Sequence, residues 1–263
     1  MFKKVVVIFW ILFSFQLSFG QGIGYKDKYA RGLYDKALKG LNDLKCSESL
    51  LYSQQLLEYA LKRNKFDMAA ASYNIIGLNF EEFGDLKKSI QYYNSGISYA
   101  RLAKNDTIEN YLYNNIGNLY YFRLKDSKKG LYYYQKSYEL SKKLDTERDI
   151  AFAEINLADV YLDLKEYDKA IKDYNKAITY DPNYASAYNN RGNALAMLGR
   201  FKEALPDFTK AVTLKPDYGQ GYYNRSLTYA NLGQFEQAYN DLVRSGQLGY
   251  KANPAYVKQL EGA

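Results

Sequence analysis

The sequence of 263 residues contains no histidine and only one cysteine, Cys46. Without histidine, the protein lacks the commonest general base and the commonest transition-metal ligand. A single cysteine cannot form an intramolecular disulfide or a multi-cysteine zinc or iron–sulfur site. The sequence also carries no phosphate-binding loop, nucleophile elbow or histidine-based triad. These absences predict a protein that is not an enzyme and that uses no cofactor and no metal.

Proline is scarce, with 4 residues, and glycine, with 18, is not enriched, so long linkers rich in proline or glycine are excluded. Apolar residues make up 47% of the chain and tyrosine alone contributes 30 residues, which is ample material for a large core. The formal net charge is +7, but the basic and acidic residues alternate and form no run of five like charges. Because nucleic-acid binding requires clustered positive charge, we expect no nucleic-acid partner.

The first twenty residues differ in composition from the rest of the chain. A basic head with Lys3 and Lys4 precedes nine apolar residues, 5–13, and small residues Ser18 and Gly20 precede Gln21. This order is typical of a secretory signal peptide, and the apolar run is too short for a spanning helix. We therefore expect a signal peptide at 1–20 that is cut after Gly20, although an uncleaved anchor is an alternative. The mature protein would be exported to the periplasm or the outside of a bacterial cell, without a membrane span.

After a short lead-in at 21–28, the chain repeats. Segments 151–184, 185–218 and 219–252 align at 34 residues, and we number positions from the first residue of each segment. Upstream, Gly77, Gly117 and Ala158 correspond at spacings of 40 and 41 residues, which indicates three longer repeats over 29–150. One of the extra residues we expect in the turn near Asp126. Small residues share position 8 (Ala158, Gly192, Ser226) and position 20 (Ala170, Ala204, Ala238).

This pattern resembles the tetratricopeptide repeat, in which two amphipathic helices pack closely through small residues. The resemblance implies an all-α fold, a right-handed α-solenoid of about six helix–turn–helix units. Asn253 and Pro254 are typical of a helix start, so we expect a short capping helix over 253–263. Such a helix would cover the apolar edge of the last repeat.

Members of this family commonly bind peptides or proteins in a concave groove, at positions 2, 5, 6, 9, 12 and 13 of the first helices. In this chain those positions contain no lysine or arginine, which favours a ligand that is apolar and neutral to basic. The four asparagines at position 6 either bind a peptide backbone or serve helix packing, and both interpretations remain open here. The candidate site residues are Tyr111, Asn115, Asn118, Tyr121, Phe122, Phe152, Asn156, Asp159, Asn190, Asn193, Tyr223 and Asn224.

Some family members bind the C-terminal tail of a chaperone through a clamp of lysine, arginine and asparagine. The corresponding residues of the last three repeats are Ile155, Asp159, Asn190, Gln220 and Asn224, and only Asn190 matches. Because a carboxylate needs cationic donors, we predict that this chain does not bind chaperone tails.

The resemblance implies a non-enzymatic protein–protein interaction scaffold that binds an extended peptide or a partner protein in the bacterial envelope. An alternative is a sensory or regulatory component of an envelope signalling system that acts in trans. That alternative is based on the longer repeats, which resemble those that precede bacterial sensor kinases and regulators.

Overall fold

The computed structural model describes residues 27–262, and these contain thirteen α-helices, one π-helical segment and no β-strand. The predicted signal peptide and its cut after Gly20 lie outside the described residues. Nowhere between residues 27 and 262 does a helix reach the length and apolarity needed to cross a membrane. The helices are α1 Lys28–Asn42, α2 Cys46–Lys62, α3 Phe66–Glu82, α4 Leu86–Leu102, α5 Asp106–Asn118, α6 Ser127–Leu144, α7 Glu147–Asp163, α8 Tyr167–Tyr180, α9 Ala185–Met197, α10 Phe201–Leu214, α11 Gly219–Asn231, α12 Phe235–Gln247 and α13 Pro254–Glu261.

The described part of the chain divides into two compact units, with the boundary between Asp145 and Thr146. In the first unit, consecutive helices from α1 to α6 pack against each other, and α3 also contacts both α1 and α5. The second unit repeats this arrangement: α9 contacts both α7 and α11, while α8, α10 and α12 each pack beside their partners. Each unit therefore has a layer of first helices and a layer of second helices. The predicted all-α architecture of helix–turn–helix repeats is confirmed.

In the second, third and fifth helix pairs, an aromatic ring of the second helix covers a glycine of the first helix. A Cβ atom on Gly117 would lie 2.6 Å from Cδ1 of Tyr134, and one on Gly192 would lie 2.9 Å from Cε1 of Phe208. Both rings are fully buried. Because the ring occupies the space of the missing side chain, the two helices of a pair approach closely.

The second helices end differently in the two units. In the second unit, Pro182 and Pro216 lie two residues after the last residues of α8 and α10, where proline disfavours continuation of the helix. In the first unit, α2 and α4 are three residues longer than α8 and α10, at 17 against 14. Two residues after the last residues of these helices, Asn64 and Lys104 have left-handed φ angles of 53° and 54°. The turn after α4 closes when Asn105 N–H donates to the carbonyl of Ala100 at 2.9 Å.

The predicted capping helix is present as α13. The Asn253 side chain accepts a hydrogen bond from the N–H of Ala255 at 2.9 Å, which caps the helix start. Leu260 is buried against Ala238 and Leu242, so α13 covers apolar surface of the last pair.

Candidate ligand-binding face

The predicted site residues lie on the first helices of the pairs or on the segment after α5, and we call the side formed by these helices the first-helix face of each unit. Among them, Asn115 is buried. Five of them lie on α5 and the segment that follows it in the first unit: Tyr111, Asn115, Asn118, Tyr121 and Phe122. Seven lie in the second unit, on α7, α9 and α11: Phe152, Asn156, Asp159, Asn190, Asn193, Tyr223 and Asn224.

Two of the position-6 asparagines bond to the preceding repeat in the same way. Asn115 Nδ2 donates to Asn74 Oδ1 at 2.8 Å, and Asn224 Nδ2 donates to Asn189 Oδ1 at 2.9 Å. Each bond joins position 6 of one repeat to position 5 of the repeat before it. Asn74 and Asn189 were missed as partners in the sequence analysis, although an asparagine at position 5 is the signal that identifies them.

Asn190 follows a different route because the preceding repeat carries Ile155 at position 5, which has no amide. Its Nδ2 donates instead to Asp159 Oδ1 at 2.9 Å, and the Tyr174 hydroxyl donates to the same oxygen. These two bonds hold the Asp159 carboxylate in one orientation. Burial, reinforced by the negative charge of Asp159, raises the pKa of neighbouring Tyr184 to about 12, so this phenol stays neutral.

Three of the four position-6 asparagines therefore use their Nδ2 group inside the protein: Asn115, Asn190 and Asn224. For these three, the packing interpretation is the one that the geometry favours. Asn156, the fourth, is half-buried on α7. The side chains of these three asparagines thus link successive first helices through hydrogen bonds.

Two other asparagines keep hydrogen-bonding capacity. Asn118 Oδ1 accepts from the Tyr134 hydroxyl at 2.8 Å, but its Nδ2 has no acceptor among the described residues. Asn193 occupies the equivalent position above Phe208, which has no hydroxyl, and between residues 27 and 262 it has no hydrogen-bond partner. Both asparagines are half-buried. An amide can donate and accept, so both suit a peptide backbone.

The aromatic site residues differ in exposure. Phe122 is 44% exposed, and its ring centroid lies 4.7 Å from that of Tyr121 in an edge-on arrangement. Tyr111 packs against the core of the first unit. Tyr223 lies 5.0 Å from Tyr250 and 5.8 Å from Tyr256, so it supports the capping helix. Phe122 is therefore the aromatic side chain among these with the most surface for a ligand.

The extra residue of the third repeat lies in the helix and not in the turn near Asp126, where we had expected it. Leu119–Arg123 form a π-helical segment in which Leu124 N–H donates to the carbonyl of Leu119 at 3.0 Å. This segment carries Arg123 to Glu81, with 3.6 Å between Nη1 and Oε1. Arg123 therefore lies next to the predicted groove positions, which themselves contain no lysine or arginine, and its charge is paired with that of Glu81.

The repeats of the second unit match known family models. Residues 158–199 match a model described as TPR repeat, and residues 185–218 and 219–245 match two models described as tetratricopeptide repeat. Residues 158–245 are therefore tetratricopeptide repeats. No curated protein matches its sequence.

Several solved structures share the fold of this tetratricopeptide-repeat protein. BtubC (BKLC) from P. vanneervenii superimposes with a TM-score of 0.68 at 18% identity, covering 84% of this chain and 94% of its own. A MamA protein gives 0.57 at 20% identity, covering 68% and 91%. YrrB, described as a TPR protein with an unusual peptide-binding site, gives 0.56 at 20% identity, covering 73% and 91%. At these identities the similarity shows the fold alone.

Proposed function

We propose that this protein is a non-enzymatic scaffold that binds an extended peptide or a partner protein on its first-helix faces, in the bacterial envelope. Its tetratricopeptide repeats support the general role of a protein-interaction scaffold. The observation that carries the proposal is the pair of half-buried asparagines, Asn118 and Asn193, with unused hydrogen-bonding groups beside amides that are already paired.

An extended peptide suits this surface because its backbone offers a donor and an acceptor at each residue. Neighbouring amides are fixed by bonds between repeats, so a ligand would meet a pre-organised surface and lose less entropy on binding. The carboxylate of Asp159, held by Tyr174 and Asn190, adds a fixed negative charge in the second unit. We therefore propose a ligand with apolar side chains that is neutral to basic where it meets this unit.

The test is capture of a partner by the tagged protein produced in its own host and crosslinked before lysis. The variants Phe122→Ala and Asn193→Ala each change one first-helix side chain that has few contacts in the core. Matched controls are Tyr132→Ala and Tyr239→Ala, which remove exposed aromatic rings from the second helices α6 and α12. We expect both first-helix variants to reduce recovery of the same partner while both controls retain it.

Equal recovery by all four variants would contradict binding on the first-helix faces. Replacing Tyr111 and Tyr121 is less informative, because Tyr111 packs on the core and Tyr121 contacts Gly130. Nuclease treatment of the captured material should leave recovery unchanged, since we propose no nucleic-acid partner.

The envelope location has its own test. Mass spectrometry of the protein purified from its host should find Gln21 at the amino terminus and the protein in the periplasmic or extracellular fraction. An intact Met1 on protein recovered from the cytoplasm would refute export and leave the proposal of a peptide-binding scaffold standing.

A further inference from the structure

We infer that the π-helical segment Leu119–Arg123 is an anchor site for a large apolar side chain of the ligand, contacted by Phe122 and kept neutral by the Arg123–Glu81 ion pair. The inference rests on the proposed function and specifies what the first unit recognises.

The segment results from one additional residue in the third repeat. Ser127, the first residue of α6, lies ten positions after Gly117, whereas Leu86, the first residue of α4, lies nine positions after Gly77. The loop before α6 is ordinary, because Asp126 Oδ1 accepts from Lys129 N–H at 3.0 Å, as Asp85 does from Lys88 at 3.1 Å before α4. The helix therefore absorbs the additional residue. Such π turns are rare and occur frequently at functional sites.

Helix α6 is adapted to this turn. A Cβ atom on Gly130 would lie 3.0 Å from Cβ of Tyr121 and 3.4 Å from its Cα. The second and fourth repeats carry Ser89 and Ala170 at the corresponding position. The backbone of Tyr121, within the π turn, lies close to α6. Gly130 occupies this point on α6, and because it has no side chain it does not obstruct Tyr121.

Phe122 is supported from the core outwards by a column of aromatic rings. Its ring lies 4.7 Å from Tyr121, and Tyr121 lies 6.3 Å edge-on from the fully buried Tyr134. An exposed aromatic side chain on such a rigid support has the properties of an interface hot spot.

The charge of Arg123, the residue after Phe122, is paired with that of Glu81. The Arg123 guanidinium lies 3.6 Å from Glu81 Oε1 and also approaches the Glu81 carbonyl oxygen at 3.4 Å, while the Tyr93 hydroxyl donates to Glu81 Oε2 at 3.3 Å. A neutral surface of this kind selects an apolar side chain rather than a charged one. Asn118 lies one turn earlier, and its unused Nδ2 can donate to the backbone carbonyl of the same ligand residue.

The experiment uses a phage-displayed library of random dodecapeptides as the probe against the purified protein. Deleting Leu124 restores the nine-residue spacing and should convert the π turn to α-helix. Leu124→Ala keeps the spacing and serves as its matched control. We expect enriched peptides to share a large apolar residue and to lose about tenfold or more in affinity for the deletion variant and for Phe122→Ala, but not for Leu124→Ala.

A ligand-independent measurement shows whether the deletion has removed the π turn rather than unfolded the chain. Gly130→Ala should lower the thermal midpoint of the parent, because its Cβ meets Tyr121. In the Leu124 deletion the same substitution should be tolerated, as Ala170 is in the fourth repeat. If Gly130→Ala lowered the thermal midpoint equally in the parent and in the deletion variant, Gly130 would not be an adaptation to the π turn.

The outcomes separate this inference from the proposed function. Peptides that bind the deletion variant as tightly as the parent but weaken with Asn193→Ala would overturn the anchor and leave the scaffold intact. Peptides without a shared apolar residue would also overturn the anchor. A library that enriches nothing, or peptides indifferent to every first-helix variant, would overturn both.

Arg123→Gln should shift enrichment towards peptides with lysine or arginine beside the apolar residue, because Glu81 loses its cationic partner. An unchanged selection would refute the role of the Arg123–Glu81 pair in keeping the site neutral.

Discussion

The two units of the protein close the same helix pair with different chemistry. The seam lies between position 7 of the first helix and position 23 of the second. In the first unit the second and third repeats hold Ile76 with Tyr92 and Ile116 with Tyr133, whereas the first repeat holds Lys36 with Tyr52. In the second unit the fifth and sixth repeats hold Arg191 with Asp207 and Arg225 with Asp241, whereas the fourth holds Leu157 with Asp173. One repeat geometry therefore accommodates either an apolar contact or a buried ion pair.

The surroundings of each seam suit its chemistry. In the first unit, the ring of Tyr92 stacks on Phe80 at 5.1 Å, and that of Tyr133 stacks on Tyr120 at 5.5 Å. In the second unit, Arg191 Nε donates to Asp207 Oδ2 at 2.7 Å, and Arg225 Nε donates to Asp241 Oδ2 at 2.6 Å.

The arginines of the two ion pairs also contact tyrosine rings. Each guanidinium also faces a tyrosine ring, Arg191 over Tyr188 at 5.6 Å and Arg225 over Tyr222 at 5.5 Å. The carboxylate of Asp207 raises the pKa of Arg191. The comparison shows that helix spacing defines this fold, whereas the polarity of the seam can vary.

The largest effect should come from breaking one ion pair. Arg191→Ala leaves the buried carboxylate of Asp207 without its partner, and we expect a loss of about 3–5 kcal/mol in the free energy of unfolding. Urea denaturation followed by circular dichroism measures it. Arg200→Ala, which removes an exposed pair with Glu203, is the control and should leave the unfolding midpoint unchanged.

The same site tests whether the two seams are interchangeable. Combining Arg191→Ile with Asp207→Tyr installs the residues of the first unit in the second. Because a buried ion pair can be replaced by apolar groups at little cost, most of the lost stability should return. A double variant no more stable than Arg191→Ala would show that the seams depend on their own surroundings.

A smaller effect should come from adding one methyl group beneath a core ring. Gly117→Ala brings its Cβ to 2.6 Å from Tyr134, so the ring must move, at a cost of about 1–3 kcal/mol. Gly192→Ala in the second unit meets Phe208 at 2.9 Å and should cost less. Thermal unfolding compares the two. Gly246→Ala, with nothing within 4 Å, controls for helix propensity and should not destabilise.

The smallest effect concerns the hydroxyl groups that reach the first-helix face. Tyr134→Phe removes the hydrogen bond to Asn118 and should cost about 0.5–1.5 kcal/mol. Phe208→Tyr is the converse change in the second unit and offers Asn193 the partner that it lacks. Chemical denaturation should show a loss for the first variant and a gain for the second. A loss for both would mean that the pocket around Phe208 has no room for a hydroxyl.

Much of the fold could be predicted because it depends on periodic properties of the chain. The recurrence of small residues such as Gly117 and Gly192 located the helix contacts, and Asn253 with Pro254 located the start of the capping helix. The candidate face could be predicted as a set of positions. The partner of each asparagine could not, because an amide can bond to a ligand or to a neighbouring amide, and the choice depends on separations near 3 Å.

The sequence by itself determined the repeats, the pairing of helices and the lack of histidine chemistry, because periodicity and composition suffice for these features. Only the tertiary structure decided that Asn115 bonds to Asn74 and that the additional residue near Asp126 becomes a π turn which brings Arg123 to Glu81. The physical reason is that these outcomes depend on contacts between residues about forty positions apart, where the rest of the packing sets the distance.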